Sequence, residues 1–178
     1  MIRRVLDGLY RVSNTLAALC ILGIFCVMLL GALGRSTGFL FKGADDIIGW
    51  LCAASAFFAL AATFRSGGMV RVGFVIDALG VRSRRYTELS TLAIAALFAA
   101  YMLFAGAQFV YNSWQFDEMA PGLLRVPIWI PQLSFVLGVA FLLVAILDEL
   151  AIVVSGGKPT YVIEEEASRA AGDFSNST

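Results

Sequence analysis

The sequence predicts an all-α integral membrane protein with four transmembrane helices, and three observations carry that prediction. The chain of 178 residues is 60% hydrophobic and only 15% charged, against about 25% charged residues in ordinary soluble domains. Its mean hydropathy is +0.84. Four stretches, 12–34, 47–64, 89–116 and 126–147, contain no charged residue. At a rise of about 1.5 Å per residue each can, as a helix, cross a hydrocarbon core about 30 Å thick, the second with the least to spare. A backbone in lipid must satisfy its own polar groups, which leaves helices or closed barrels, and unbroken apolar runs do not fit the alternating pattern of barrel strands.

The first helix is predicted over 12–34, between Arg11 and Arg35. The segment LAALC (Leu16 to Cys20) superficially matches a lipoprotein cleavage site, but Leu19 stands where a small residue is needed. The apolar run also exceeds the roughly 7 to 15 residues of a signal-peptide core, so it is expected to stay uncleaved. The second helix is predicted over 45–64, the third over 87–113 and the fourth over 127–154. Pro127 and Pro131 bracket the start of the fourth, where a missing N–H costs little because first-turn donors have no helical partner. Residues 1–155 therefore read as one transmembrane domain. Residues 156–178, with SGGKP, the acidic run Glu164 to Glu166 and a Ser/Asn/Thr-rich end, read as a polar and largely disordered tail.

Charge sets the orientation. Arg3, Arg4, Arg11, Arg65, Arg71, Arg82, Arg84, Arg85, Lys158 and Arg169 fall on one side of the four helices, and only Arg35, Lys42 and Arg125 on the other. The positive-inside rule then puts both termini and the loop between helices two and three in the cytoplasm, an N-in/C-in topology. Trp50, Trp114 and Trp129 lie near helix ends on the opposite side, where an indole keeps its ring in acyl chain and its N–H near water.

Between helices two and three runs FRSGGMVRVGFVIDALG, Phe64 to Gly80. Over 68–80, Val72, Val75, Ile76 and Leu79 recur at helical spacing with Met69 on the same side, which predicts a short amphipathic interfacial helix. Val70, Val72, Phe74 and Ile76 also alternate like a strand. The helix is preferred because an isolated strand at a membrane surface leaves its edge groups unpaired. Gly67 and Gly68 supply the change of direction, and Arg65 and Arg71 anchor the topology or face headgroups.

Several chemistries are excluded or unsupported. The chain has no histidine, so histidine-dependent triads, histidine-ligated zinc and bis-histidine haem are out. No nucleophile and base are placed together, so no enzyme activity, cofactor or metal is expected. Cys20, Cys26 and Cys52 lie in predicted helices without CxxC spacing and read as structural thiols. A formal charge of zero offers no basic surface for nucleic acid. No carboxylate sits mid-membrane, where a charge costs at least roughly 2.5 to 3.5 kcal/mol and marks an ion path. Asp148 and Glu149 are the deepest, and they read as a solvated or arginine-paired helix end. Alanines of helix two (Ala53, Ala54, Ala56, Ala59, Ala61, Ala62) and of helix three (Ala95, Ala96, Ala99, Ala100, with Ala105, Gly106 and Ala107) predict close helix packing, either inside this bundle or against a second membrane subunit.

In chain order the sequence carries the acidic pair Asp45 and Asp46, the run RSGGMVRV from Arg65 to Val72, Asp77 with Leu79, and GLLRVPIWIPQL from Gly122 to Leu133. With four helices around them, these elements resemble the small membrane subunit of TRAP (tripartite ATP-independent periplasmic) transporters, the DctQ-like family, over residues 5–155. The chain departs from the family pattern at Met69, where histidine is common, and at Gly73, where an acidic residue is common, so no role is assigned to those two positions.

The resemblance implies a multi-pass protein of a bacterial or archaeal inner membrane. Its implied partners are a large DctM-like membrane subunit, a periplasmic solute-binding protein and lipid. The large subunit would carry a sodium-driven flux of a periplasmic organic acid, and the small subunit would widen its fixed scaffold. Carried over by motif, Asp45, Asp46, Trp50, Arg65, Gly67, Gly68, Arg71, Asp77, Pro127, Trp129 and Pro131 are candidates for the interface with the large subunit or lipid, and Asp117 to Trp129 for docking of the loaded binding protein. The alternative is a self-associating, holin-like or membrane-organising four-helix protein with no transport partner.

Overall fold

The computed structural model describes residues 2–38, 42–65 and 81–155. They form four helices, α1 (Ile2–Thr37), α2 (Ala44–Arg65), α3 (Val81–Gln115) and α4 (Trp129–Val154). Each is long and apolar enough to span a membrane, and no strand occurs among the described residues. α1 extends beyond the charge-free stretch 12–34 at both ends. The expected interfacial helix over 68–80 and the tail 156–178 lie outside the described residues.

The helices do not follow one another around a ring. α1 lies along α2, α2 along α4, and α4 along α3, with α1 touching α4 only marginally. Neither α1 nor α2 makes an extended contact with α3 among the described residues. α4, the last of the four in sequence, is therefore an inner member of the row, and α1 and α3 are its outer members. α4 buries Gly138, Val139, Ala145, Ile146, Glu149 and Val153, a stripe whose spacing follows the helical repeat.

Within a bilayer the solvent is as apolar as the side chains, so close packing and interhelical hydrogen bonds hold helices together. Both are visible. Phe57 of α2 lies over Gly138 of α4, where an added Cβ would stand 2.6 Å from the Phe57 Cβ and 2.6 Å from its carbonyl oxygen. The ring of Phe135 of α4 covers Gly106 of α3. The two phenylalanines meet edge to face, with ring centroids 4.8 Å apart, so one aromatic pair ties α2, α4 and α3 in series. On the other side of α2, fully buried Ser13 of α1 donates its hydroxyl to the Phe58 carbonyl at 2.5 Å, beside Ala17, Ala54 and Phe58.

At the end of the bundle where α1 begins and α4 ends, Tyr10, Ala61, Phe64, Leu92, Ala99, Ala145, Ile146 and Val153 form the main core cluster. Glu149 belongs to this end. It is only 2% exposed and has an interaction partner, whereas its neighbour Asp148 is half-buried. A solvated position, one of the two readings of this helix end from sequence, does not hold for Glu149. A buried carboxylate must be compensated, because desolvating an unpaired charge costs several kcal/mol or more.

Candidate functional site

The opposite end of the bundle carries the loop between α3 and α4, residues 116–128, and the described residues converge there on one constructed feature. α3 stops in a turn that satisfies its last carbonyls. Glu118 N–H donates to Ser113 O at 3.0 Å and Asp117 N–H to Trp114 O at 3.4 Å, while Asp117 takes the left-handed conformation with φ 49°. That pair of bonds is the Schellman pattern, with aspartate in the position glycine usually holds. Buried Ser113 adds a side-chain bond, its Oγ donating to the Glu118 carboxylate at 2.8 Å.

The chain then doubles back on itself. Ala120 N–H donates to Val126 O and Ile128 N–H to Glu118 O, both at 2.9 Å, and Met119 pairs with Pro127 as an isolated antiparallel bridge. Pro127 occupies the position of this short ladder from which no donor is required, so its missing N–H goes unmissed. α4 begins two residues later at Trp129, and Pro131 falls in its first turn, where the helix tolerates a residue without a donor.

The tip of the loop reaches α2. Asp46, in the first turn of α2, accepts from the backbone N–H of Leu123 at 2.8 Å and of Leu124 at 3.3 Å through the same carboxylate oxygen. Gly122 makes the approach possible, because a Cβ there would stand 2.6 Å from the Asp46 Cγ, well inside van der Waals contact. Gly43 does the same on the other flank. It turns the chain into α2 with φ +87°, and a Cβ on it would meet the Leu124 side chain at 2.5 Å. A carboxylate near a helix N-terminus is also favoured by the helix dipole, so Asp46 serves two neighbours at once. Its companion Asp45 is exposed and plays no part in the clasp.

Outward from this clasped loop project Phe116, Met119 and Leu123, the last 75% exposed, together with exposed Arg125. Trp129, half-buried at the start of α4, shares a shallow apolar groove of about 300 Å³ with Ala107, Tyr111 and Trp114 of α3 and Leu133 and Val136 of α4. Trp50 is half-buried on α2, near the same end of the bundle. The structure thus brings Asp46 together with the Gly122 to Arg125 segment and groups Trp129 with Trp114. Arg65 closes α2 at the far end. Gly67, Gly68, Arg71 and Asp77 lie outside the described residues. Nothing in this arrangement resembles a catalytic centre, and no cluster of metal-ligating side chains occurs among the described residues. Both halves of the clasp stand out in the sequence, Asp46 in the acidic pair and Gly122 to Leu124 in GLLRVPIWIPQL, with Glu118 inside the docking candidate Asp117 to Trp129, but nothing there joins them, and Ser13 and Ser113 carry no signal.

The family model for the DctQ component of tripartite ATP-independent periplasmic transporters matches residues 24–155. The chain belongs to the DctQ family. The match begins within α1 and runs through α2, α3, the clasped loop and the whole of α4. A comparison with curated proteins found no significant match. As a DctQ component, this chain is the small membrane subunit of a TRAP transporter, a transporter component with four spans and not a member of an enzyme family. The family operates in a three-part system with a large DctM-type membrane subunit and a binding protein.

Proposed function

We propose that this DctQ chain is a static brace for the large subunit during sodium-driven uptake of an organic acid that a periplasmic binding protein delivers. The observation that carries this reading is the outer face of α3. Ala93, Leu97, Ala100, Phe104, Ala107, Tyr111 and Trp114 follow one another at alternating spacings of four and three residues, and all seven are exposed. That spacing forms a straight seam into which a second helix can fit side chains between the small residues. Exposed Gln108 lies beside it, and an amide facing hydrocarbon gains from a hydrogen-bonding partner there. A scaffold of this kind has no need of an ion path through its own interior, and the four spans place no charged side chain at mid-membrane.

In this reading both termini face the cytoplasm of an inner membrane and the clasped loop faces the periplasm, where it contributes to docking of the binding protein. The segment around Arg65 and Arg71 holds the cytoplasmic side against headgroups or the large subunit. Reconstitution tests the proposal. Liposomes holding the large subunit with this chain should take up solute in the presence of the loaded binding protein and a sodium gradient. Liposomes lacking this chain should not. Flux through this chain alone would overturn the brace, and so would full uptake without it.

A further inference from the structure

The clasp between α2 and the α3–α4 loop is a positioning device. A loop of 13 residues with an exposed glycine at its tip would ordinarily sample many conformations, at a cost of roughly 1 to 2 kcal/mol per residue to fix. Here the conformation is set from three sides: the Schellman turn and Ser113 at one end, the Met119 to Pro127 pairing across the middle, and Asp46 at the tip. The first two act within the loop and its own helix. Asp46, 77 residues away in sequence, supplies the hydrogen bonds that tie the tip to a different helix, beside the packing of Leu124 on Gly43, and so fixes its direction relative to the bundle.

Backbone amides at the tip of a turn are normally satisfied by water, with no need for a dedicated carboxylate. What the clasp adds is preorganisation. It presents Leu123, Arg125 and the apolar Met119 in one fixed arrangement above the bundle end, and ordering a recognition loop in advance lowers what a partner must spend to bind it.

Building on the tripartite reading above, we propose that Asp46 is the positioning residue of a preformed periplasmic recognition element, the 116–128 loop, whose exposed Leu123 and Arg125 contact the binding protein. Asp46 itself does not touch the partner. Its carboxylate holds the two amides, Gly122 leaves the room for it, and the loop does the recognising.

The experiment has two readouts. On the full chain in nanodiscs, hydrogen exchange at the Leu123 and Leu124 amides should rise about tenfold or more in Asp46→Ala, the loss expected when charge-assisted bonds are removed. Asp46→Asn keeps an accepting oxygen and should stay within about threefold of wild type. On the complex with the large subunit, the dissociation constant of the cognate soluble binding protein should weaken by about tenfold in Asp46→Ala. Co-purification of the two membrane subunits should be unchanged, and Asp46→Asn should restore binding.

Gly122→Ala, which drives a methyl group onto the Asp46 carboxylate, should reproduce Asp46→Ala, and the double variant should be no worse than either single one. Amides that stay protected without Asp46 would overturn the proposal. So would faster exchange with unaltered binding-protein affinity, and so would a double variant whose defects multiply. If the wild-type complex itself fails to bind the cognate protein, the tripartite docking reading falls and takes the recognition role with it, even where the amides still depend on Asp46.

Discussion

Ser13 and Gly138 both hold neighbouring helices together, and their energetics differ enough to be told apart. The Ser13 hydroxyl spans α1 and α2 through one bond to a carbonyl already engaged in its own helix. Side-chain bonds between membrane helices are worth about 0.6 kcal/mol on average, with a maximum near 1.7, so Ser13→Ala should destabilise the isolated chain by about that average. Gly138 is different, because the obstacle to a Cβ includes Phe57 backbone atoms. A methyl group there must push α2 and α4 apart, and overpacking of this kind costs about 1 to 3 kcal/mol. Gly138→Ala should therefore be the more damaging of the two, as measured by denaturant titration of helicity in mixed micelles. Residue-scale features of this sort were poorly legible in the sequence. Ser13 looked like any serine near a helix start, and the partners of Asp46 are backbone amides, which every residue except proline carries.

Among the elements, α3 shows how a composition can be read correctly and still leave its meaning open. Its alanines predicted close packing, inside the bundle or against another subunit. The structure divides them: half-buried Ala95 and Ala96 and buried Ala99 turn toward α4, while Ala93, Ala100 and Ala107 face out. No pattern in the sequence separates the two sets, because both recur at helical spacing and the choice of face depends on where α4 lies. The outward set makes a prediction. Ala100→Leu fills a gap in the α3 seam without touching the bundle core. The variant should insert and fold normally, and it should lose co-purification with the large subunit by about tenfold, the equivalent of roughly 1.4 kcal/mol. The same substitution at Ala18, exposed on α1, is the control and should be neutral. Equal losses at both positions would detach the docking role from α3.

For the whole molecule, the four spans were legible because the cost of placing charge in hydrocarbon leaves long charge-free runs that can be seen without knowing any contact. The order of the helices was not, since nothing local records that α4 separates α2 from α3. Orientation has a direct check. With the three native cysteines replaced, Leu123→Cys should react with a membrane-impermeant maleimide added outside intact cells, and Ser155→Cys should react only after lysis. The reverse pattern would invert the proposed topology.

The position of α4 also bears on how the protein is made. Its chain segment leaves the ribosome after those of the other three helices, yet it is the principal neighbour of α3 and packs along α2 nearly as extensively as α1 does. Among the described residues, α3 has no extended contact with either helix that came before it. The bundle can therefore close only once α4 is present to dock on both α2 and α3. A nascent product terminated just before Trp129 should then hold three inserted but loosely associated spans, which membrane proteases clear.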